Sequence, residues 1–176
     1  RMGVDTTLLY RGQKVLGGFD EDLRDHLQQT MMDKGIRVIL HQVFENIEKK
    51  DDGSLSATLS GGDVLHADQV MLARGRKPNT KGLGLDAAGV ETDMKGTIPV
   101  DEYAKTNVDN IYAVGDVTDR MQLTPVAIHE SMCLVQTLFN NNPTKPDHET
   151  IATAVFSQPE IGTVGLTEQQ AVERYS

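Results

Sequence analysis

Residues 4–40 read VDTTLLYRGQKVLGGFDEDLRDHLQQTMMDKGIRVIL, and this stretch decides the fold class. Residues 4–10 alternate loosely between apolar and polar and lie between Gly3 and Gly12, the pattern of a strand. Asp20 is a strong N-cap residue, and Leu23, Leu27 and Met31 recur at one-turn spacing after it. Gly35 supplies a helix stop, so a helix of about 14 residues is expected. A short apolar strand follows over residues 36–40. Strand, helix, strand is the grammar of a parallel βαβ unit.

Downstream the pattern changes. Residues 43–47, 55–59 and 70–73 are short apolar runs divided by Asp51-Asp52-Gly53 and Gly61-Gly62-Asp63, which predicts an antiparallel meander. Residues 76–84 are rich in Gly, Pro, Asn and Lys and read as a loop and a boundary. Strands are expected at residues 97–100 and 111–114. Thr124 opens a helix with Pro125 at its first position, where a missing N–H costs nothing. In that helix Ile128, Met132, Val135 and Phe139 form one stripe, and Ala127, Leu134 and Leu138 another, which predicts a buried helix. Residues 140–149 read as a polar linker, and residues 151–156 and 161–166 as strands. Thr167 and Gln170 make a capping box before Ala171, Val172 and Tyr175, the start of an amphipathic helix.

Composition limits the function. The 176 residues are 38% hydrophobic and 24% charged, enough for a packed core. The content excludes collagen, a coiled coil and a disulfide-stapled miniprotein. No run approaches the ~20 apolar residues that span a bilayer. A net charge of −9 argues against nucleic acid and anionic membranes as partners. The single cysteine, Cys133, and the lack of a charged-then-apolar opening favour a cytoplasmic setting. A core strand at the start and a helix cut after two turns at the end predict an internal piece of a longer protein.

Two features carry chemistry. In a dinucleotide-binding βαβ unit the end of the second strand lies beside the adenine ribose. Here the first strand ends Tyr10-Arg11, with Lys14 close by and no carboxylate before Asp20. A positive pocket there suits the 2′-phosphate of NADP; an ordinary solvated arginine at a strand end is the other reading. Second, the expected strand 111–114 delivers Gly115 and Asp116 at its end. Glycine permits close backbone approach and the carboxylate accepts from a sugar hydroxyl, although Gly-Asp also serves plain turns. His129 and Cys133 are four residues apart, which suits a thiolate–imidazolium pair or a small buried thiol; the buried thiol is the commoner case. Asp147-His148-Glu149 reads as linker rather than metal site, because adjacent side chains do not point at one ion.

The string Thr106-Asn107-Val108-Asp109-Asn110-Ile111-Tyr112-Ala113-Val114-Gly115-Asp116 resembles the second flavin motif of the FAD-dependent pyridine nucleotide–disulfide oxidoreductases. The loop Ala73-Arg74-Gly75-Arg76-Lys77-Pro78-Asn79 is similar to that family's A-x-G-R-x-P-N segment. Leu123-Thr124-Pro125-Val126-Ala127 resembles its glutathione and trypanothione reductase branch. Phe156-Ser157-Gln158-Pro159 and residues 161–168 resemble the opening of that branch's dimerisation domain. The match is in order along essentially the whole chain.

The resemblance implies an α/β architecture. Residues 1–77 would be the C-terminal half of a Rossmann-like NADP-binding domain with an antiparallel meander. Residues 78–149 would be part of an FAD-binding domain, and residues 150–176 the start of an α+β dimerisation domain. It implies that Asp116, with Gly115, binds a ribityl hydroxyl of FAD. Thr124, beside Leu123 at a helix N-terminus, would place N–H groups near the flavin O2, where negative charge is stabilised. It assigns Arg11, Gly75, Arg76, Gln122 and the Val155 carbonyl to NADP. The family's redox cysteines would lie upstream and its catalytic His–Glu pair downstream, so no catalytic residue and no metal ligand is expected here.

The implied activity is transfer of electrons from NADPH through FAD and a redox disulfide to glutathione disulfide, in a cytoplasmic homodimer. Another small disulfide such as trypanothione, or an inert folded fragment, are the alternatives. Three positions depart from the family pattern. Gly17 stands where a second phosphate arginine is expected, Arg74 where an aliphatic residue is usual, and Met132 where some members place an arginine against glutathione.

Overall fold

A computed structural model describes residues 3–176, so Arg1 and Met2 of the first expected segment lie outside the described residues. Two compact units are present: residues up to Ala73 together with Ala152–Ser176, and Arg74–Ile151.

In the first unit β1 (Thr7–Tyr10) and β2 (Arg37–Leu40) pair in parallel, with Thr7 opposite Arg37 and Tyr10 opposite Leu40. Parallel neighbours need a long crossover, and α1 (Glu21–Asp33) supplies it. Asp20 caps that helix, its carboxylate accepting from the Asp22 N–H at 3.2 Å. Glu21 and Asp22 in the first turn face the positive end of the helix dipole. At the far end Gly35 takes φ +79°, and the N–H groups of Gly35 and Ile36 return to the carbonyls of Met32 and Met31. A residue with a Cβ is strained there, which is why the helix stops at this glycine.

Leu27 and Val15 are buried and pack with Leu8, Leu23, Met31 and Val38. Ile161 completes this core from the C-terminal segment, where β6 (Thr153–Val155) and β7 (Ile161–Thr163) form an antiparallel pair. The other carboxylate oxygen of Asp20 accepts from the Glu168 N–H at 2.8 Å, so one aspartate ties the start of α1 to the start of α3 (Glu168–Tyr175). The Thr167–Gln170 capping box forms in both directions, as the sequence predicts.

The meander comprises β3 (Phe44–Lys49), β4 (Leu55–Leu59) and β5 (Val64–Ala67), all antiparallel. Its third strand corrects the expectation at residues 70–73. The Gly61-Gly62-Asp63 reversal sets Val64 opposite Thr58 at once, which uses the free edge of β4 before residue 70 is reached. Central β4 is the best-buried strand, with Ala57 2% and Leu59 1% exposed.

The second unit is built mostly without ladders. Its core is Val90, Ile98 and Ala113, with Leu85, Val100, Val108, Ile111 and Val117 packed on it. Ile98, Val100, Ile111 and Ala113 thus lie in this core, but neither of the expected strands, 97–100 and 111–114, forms. The Ile98 N–H donates to the Val117 carbonyl and the Ala113 N–H to the Ala104 carbonyl. The pairing is thus with loop backbone, apart from an isolated bridge between Lys105 and Tyr112. A burial pattern does not by itself supply a ladder partner.

The long helix α2 (Thr124–Phe139) also departs from expectation. Val126, Glu130 and Cys133 are its buried residues, whereas Ile128 is 56% and Met132 63% exposed, with Val135, Leu138 and Phe139 also open. Apolarity on most sides permits burial of any face; which face is covered depends on what packs there. Among the described residues no helix is long and apolar enough to cross a membrane. Leu59→Ala is expected to cost about 2–5 kcal/mol of stability in denaturant unfolding, because it opens a cavity in the central meander strand.

Candidate functional site

The Gly115–Asp116 turn is held from several sides. Val114 arrives extended, and residues Gly115–Thr118 form a 3-10 turn. Gly115 takes φ +74°, and a Cβ on it would lie 3.0 Å from the Ala127 Cβ of α2, so only glycine fits this approach. The Gly115 N–H donates to Glu130 Oε2 at 2.6 Å, and its carbonyl accepts from Thr118 Oγ1 at 2.9 Å. Both bonds are buried. The turn consequently projects the half-buried Asp116 carboxylate from a fixed backbone.

Asp116 Oδ2 meets Arg76 Nη1 at 2.8 Å. The structure thus brings together a residue assigned to FAD and one assigned to NADP. The two side chains are 40% and 63% exposed, so the pair adds only about 0–1 kcal/mol and yields readily to a competing hydroxyl or phosphate. Gly75, beside Arg76, takes φ +91° with open space where a Cβ would stand.

The N-terminus of α2 has no side-chain cap. Leu123 is the N-cap residue and Pro125 brings no N–H, while Thr124 is exposed. Donors at a bare helix start suit the electronegative edge of a ligand, so these residues fit the flavin O2 expected there. Gln122 donates to Asp119 Oδ1 at 2.7 Å, which fixes it just before the helix.

Arg11 and Val155 lie in the first unit. Arg11 is exposed just after β1, and among the described residues no side-chain hydrogen bond or ion pair to it is formed. Lys14, the second cation near this strand end, forms exposed ion pairs. Its Nζ lies 2.8 Å from Asp25 and 2.9 Å from Glu21, and these carboxylates raise its pKa above the ordinary lysine value, Asp25 most. Arg24 is equally committed, to Glu21 and to the carbonyls of Lys14 and Val15. Val155 is half-buried in β6, opposite Ile161, with its side chain in the first core. Arg74 is exposed and residues 70–73 just before it form no strand, so its charge needs no burial.

Glu130 is the residue that sequence reasoning missed. Its side chain is 3% exposed, and its second oxygen, Oε1, lies 2.7 Å from His148 Nε2. A fully buried carboxylate is costly unless hydrogen-bonded, and here each oxygen has a partner. The available signal was a lone acid at one-turn spacing between Val126 and Cys133. His148 belongs to the predicted polar linker, in which Asp147 accepts from the N–H groups of Glu149 and Thr150. Among the described residues no cluster of metal-binding side chains occurs.

Cys133 Sγ lies 3.8 Å from His129 Nε2. Burial, and then the nearby Glu130 charge, push the thiol pKa above its ordinary value. That favours the neutral thiol and removes the thiolate–imidazolium reading. The exposed face of α2 forms a shallow recess of about 480 Å³ along Ile128, Met132 and Val135.

A family model described as pyridine nucleotide-disulphide oxidoreductase matches residues 1–131. A glutathione reductase of Burkholderia cepacia is 46% identical over 99% of this chain and 39% of the relative. A trypanothione reductase of Trypanosoma congolense is 46% identical over 99% of this chain and 35% of the relative. Among solved structures, the HOCl-induced flavoprotein disulfide reductase RclA from Escherichia coli superposes with a TM-score of 0.89 at 28% identity, covering 97% of this chain and 39% of that one. The chain thus spans between a third and two fifths of the length of these curated relatives. Cys133 in the native protein is expected to react with iodoacetamide at least ~10-fold more slowly than a free thiol, and at the free rate in denaturant, read by mass spectrometry of its peptide.

Proposed function

Because the chain belongs to the pyridine nucleotide–disulphide oxidoreductase family, we propose that the protein carrying it is an FAD-dependent disulfide reductase that uses NADPH to reduce glutathione disulfide. The observation that carries this reading is the rigid Gly115–Asp116 turn packed on α2, the helix whose uncapped start bears Leu123 and Thr124. FAD, when bound, supplies a two-electron relay between nicotinamide and disulfide. One NADPH and one proton would convert one glutathione disulfide into two thiols and NADP⁺, with thiol exchange completing the transfer.

The chain's own residues have distinct tasks in this scheme. Asp116 accepts from a ribityl hydroxyl, exchanging its surface contact with Arg76 for a charge-assisted bond. The first turn of α2 presents N–H groups to the edge of the flavin where negative charge accumulates. Gly75 admits the nucleotide without steric conflict, and Arg76 and Gln122 take part in holding it. Arg11 holds the 2′-phosphate, and the Val155 carbonyl accepts from the nicotinamide amide. Residues 1–77, 78–149 and 150–176 serve as NADP-binding, FAD-binding and dimerisation segments of a cytoplasmic homodimer, with neither nucleic acid nor membrane as a partner.

Reduction of another small disulfide, such as trypanothione, is the second reading. Met132 favours it, because an exposed thioether gives no cation for the glutathione carboxylates.

The full-length protein is expected to be yellow, absorbing near ~450 nm, because the isoalloxazine is the chromophore. It is expected to oxidise NADPH when glutathione disulfide is added. A colourless protein would overturn the flavin reading; a yellow one that turns over only with trypanothione disulfide would overturn the substrate. Arg11→Ala is expected to raise KM for NADPH about 10–100-fold while leaving KM for NADH nearly unchanged, since one charge-assisted bond to the 2′-phosphate is lost. Equal effects on both nucleotides would remove Arg11 from that role.

A further inference from the structure

The turn that bears Asp116 is shaped by side chains rather than by a β-ladder. Gly115 has its N–H on Glu130 Oε2 at 2.6 Å and its carbonyl on Thr118 Oγ1 at 2.9 Å. Its Cα side rests on Ala127, one turn before Glu130 on the same helix. Helix α2 therefore grips Gly115 at two consecutive turns, once by packing and once by a charge-assisted hydrogen bond. About two turns nearer its start the same helix carries Leu123 and Thr124. The remaining oxygen of Glu130 is engaged by His148 Nε2 at 2.7 Å, which leaves the carboxylate no freedom to turn away.

We infer that Glu130 is a positioning residue for flavin binding: through the Gly115 N–H it locks the direction of the Asp116 carboxylate relative to the N-terminus of α2. The inference rests on the reading of the Gly115–Asp116 turn and the start of α2 as parts of one flavin site. Glu130 does not itself touch the ligand in this account. A carboxylate is the suited group because it accepts at both oxygens, from a backbone N–H on one and from an imidazole N–H on the other. An apolar residue of the same size would fill the space and leave the Gly115 N–H without an acceptor.

The test uses the full-length protein with its flavin removed, and reads the FAD dissociation constant by flavin fluorescence and global stability by thermal unfolding. Glu130→Met is expected to weaken FAD binding at least about tenfold, since the turn loses one hydrogen bond to a charged group. Its thermal midpoint should fall by only a few degrees, the cost of one buried N–H left without an acceptor, and the protein should remain folded. Glu130→Gln is expected to stay within about threefold of the parent, because its amide oxygen still accepts from Gly115.

Combined with Asp116→Ala, Glu130→Met should add less than about twofold, since there is no carboxylate left to direct. An undiminished penalty in the Asp116→Ala background, or parental affinity in Glu130→Met, would overturn the inference. If Glu130→Met does not fold, Glu130→Ala replaces it. Failure of both to fold would assign Glu130 to the fold itself and also overturn the inference. A parent protein that binds no FAD would instead overturn the flavin reading, and the two failures are thus distinguishable.

Discussion

A buried carboxylate on a largely apolar helix joins three segments of the second unit. Glu130 is 3% exposed, and an ion so placed is tolerated only with its hydrogen bonds complete. The face of α2 that turns inward is Val126–Glu130–Cys133 and not the more apolar stripe through Ile128, Met132 and Val135, so the buried acid has to be satisfied there. It also draws in two segments distant in sequence, the Gly115 turn and His148. The Gly115–Ala127 approach, the Asp116 projection and the depressed acidity of Cys133 all follow from that choice of face.

Asp20 has the corresponding part in the first unit. One oxygen caps α1 and the other caps the backbone entering α3, so a single side chain serves two helix starts. Around it the charges are internally spent. Lys14 is balanced by Glu21 and Asp25, and Arg24 holds the loop that follows β1 through its carbonyls. Beside them Arg11 is an exposed guanidinium with fork geometry. Gly17 gives that loop no second cation, and a Cβ there would stand 3.1 Å from the Tyr10 hydroxyl.

Local signals were read well where the partner lies close in sequence. Asp20 and Gly35 delimit α1, Thr167 and Gln170 start α3, and the turns at residues 51–53 and 61–63 separate meander strands, because caps and reversals are satisfied within a few residues. Reading failed where the partner is remote. Residues 97–100 and 111–114 carry strand-like alternation yet bond to loop carbonyls, and residues 70–73 find the β4 edge already taken by β5. For the candidate site, the motif residues Gly115 and Asp116 were legible as a string, and Glu130 was not, since nothing in the helix itself says that an acid will be buried.

The sequence by itself determined the α/β class, the crossover unit, the helix limits and, through its motifs, membership of the oxidoreductase family. These rest on periodicity, capping and short-range turn chemistry, which act between neighbours along the chain. Only the tertiary structure decided which face of α2 is covered, that Lys14 is committed to carboxylates, that Arg76 meets Asp116, and that Glu130 fixes Gly115. Each of these is a pairing between groups whose separation in space bears no fixed relation to their separation in sequence. Burial and hydrogen-bond satisfaction, the forces that select among such pairings, are properties of the folded arrangement alone.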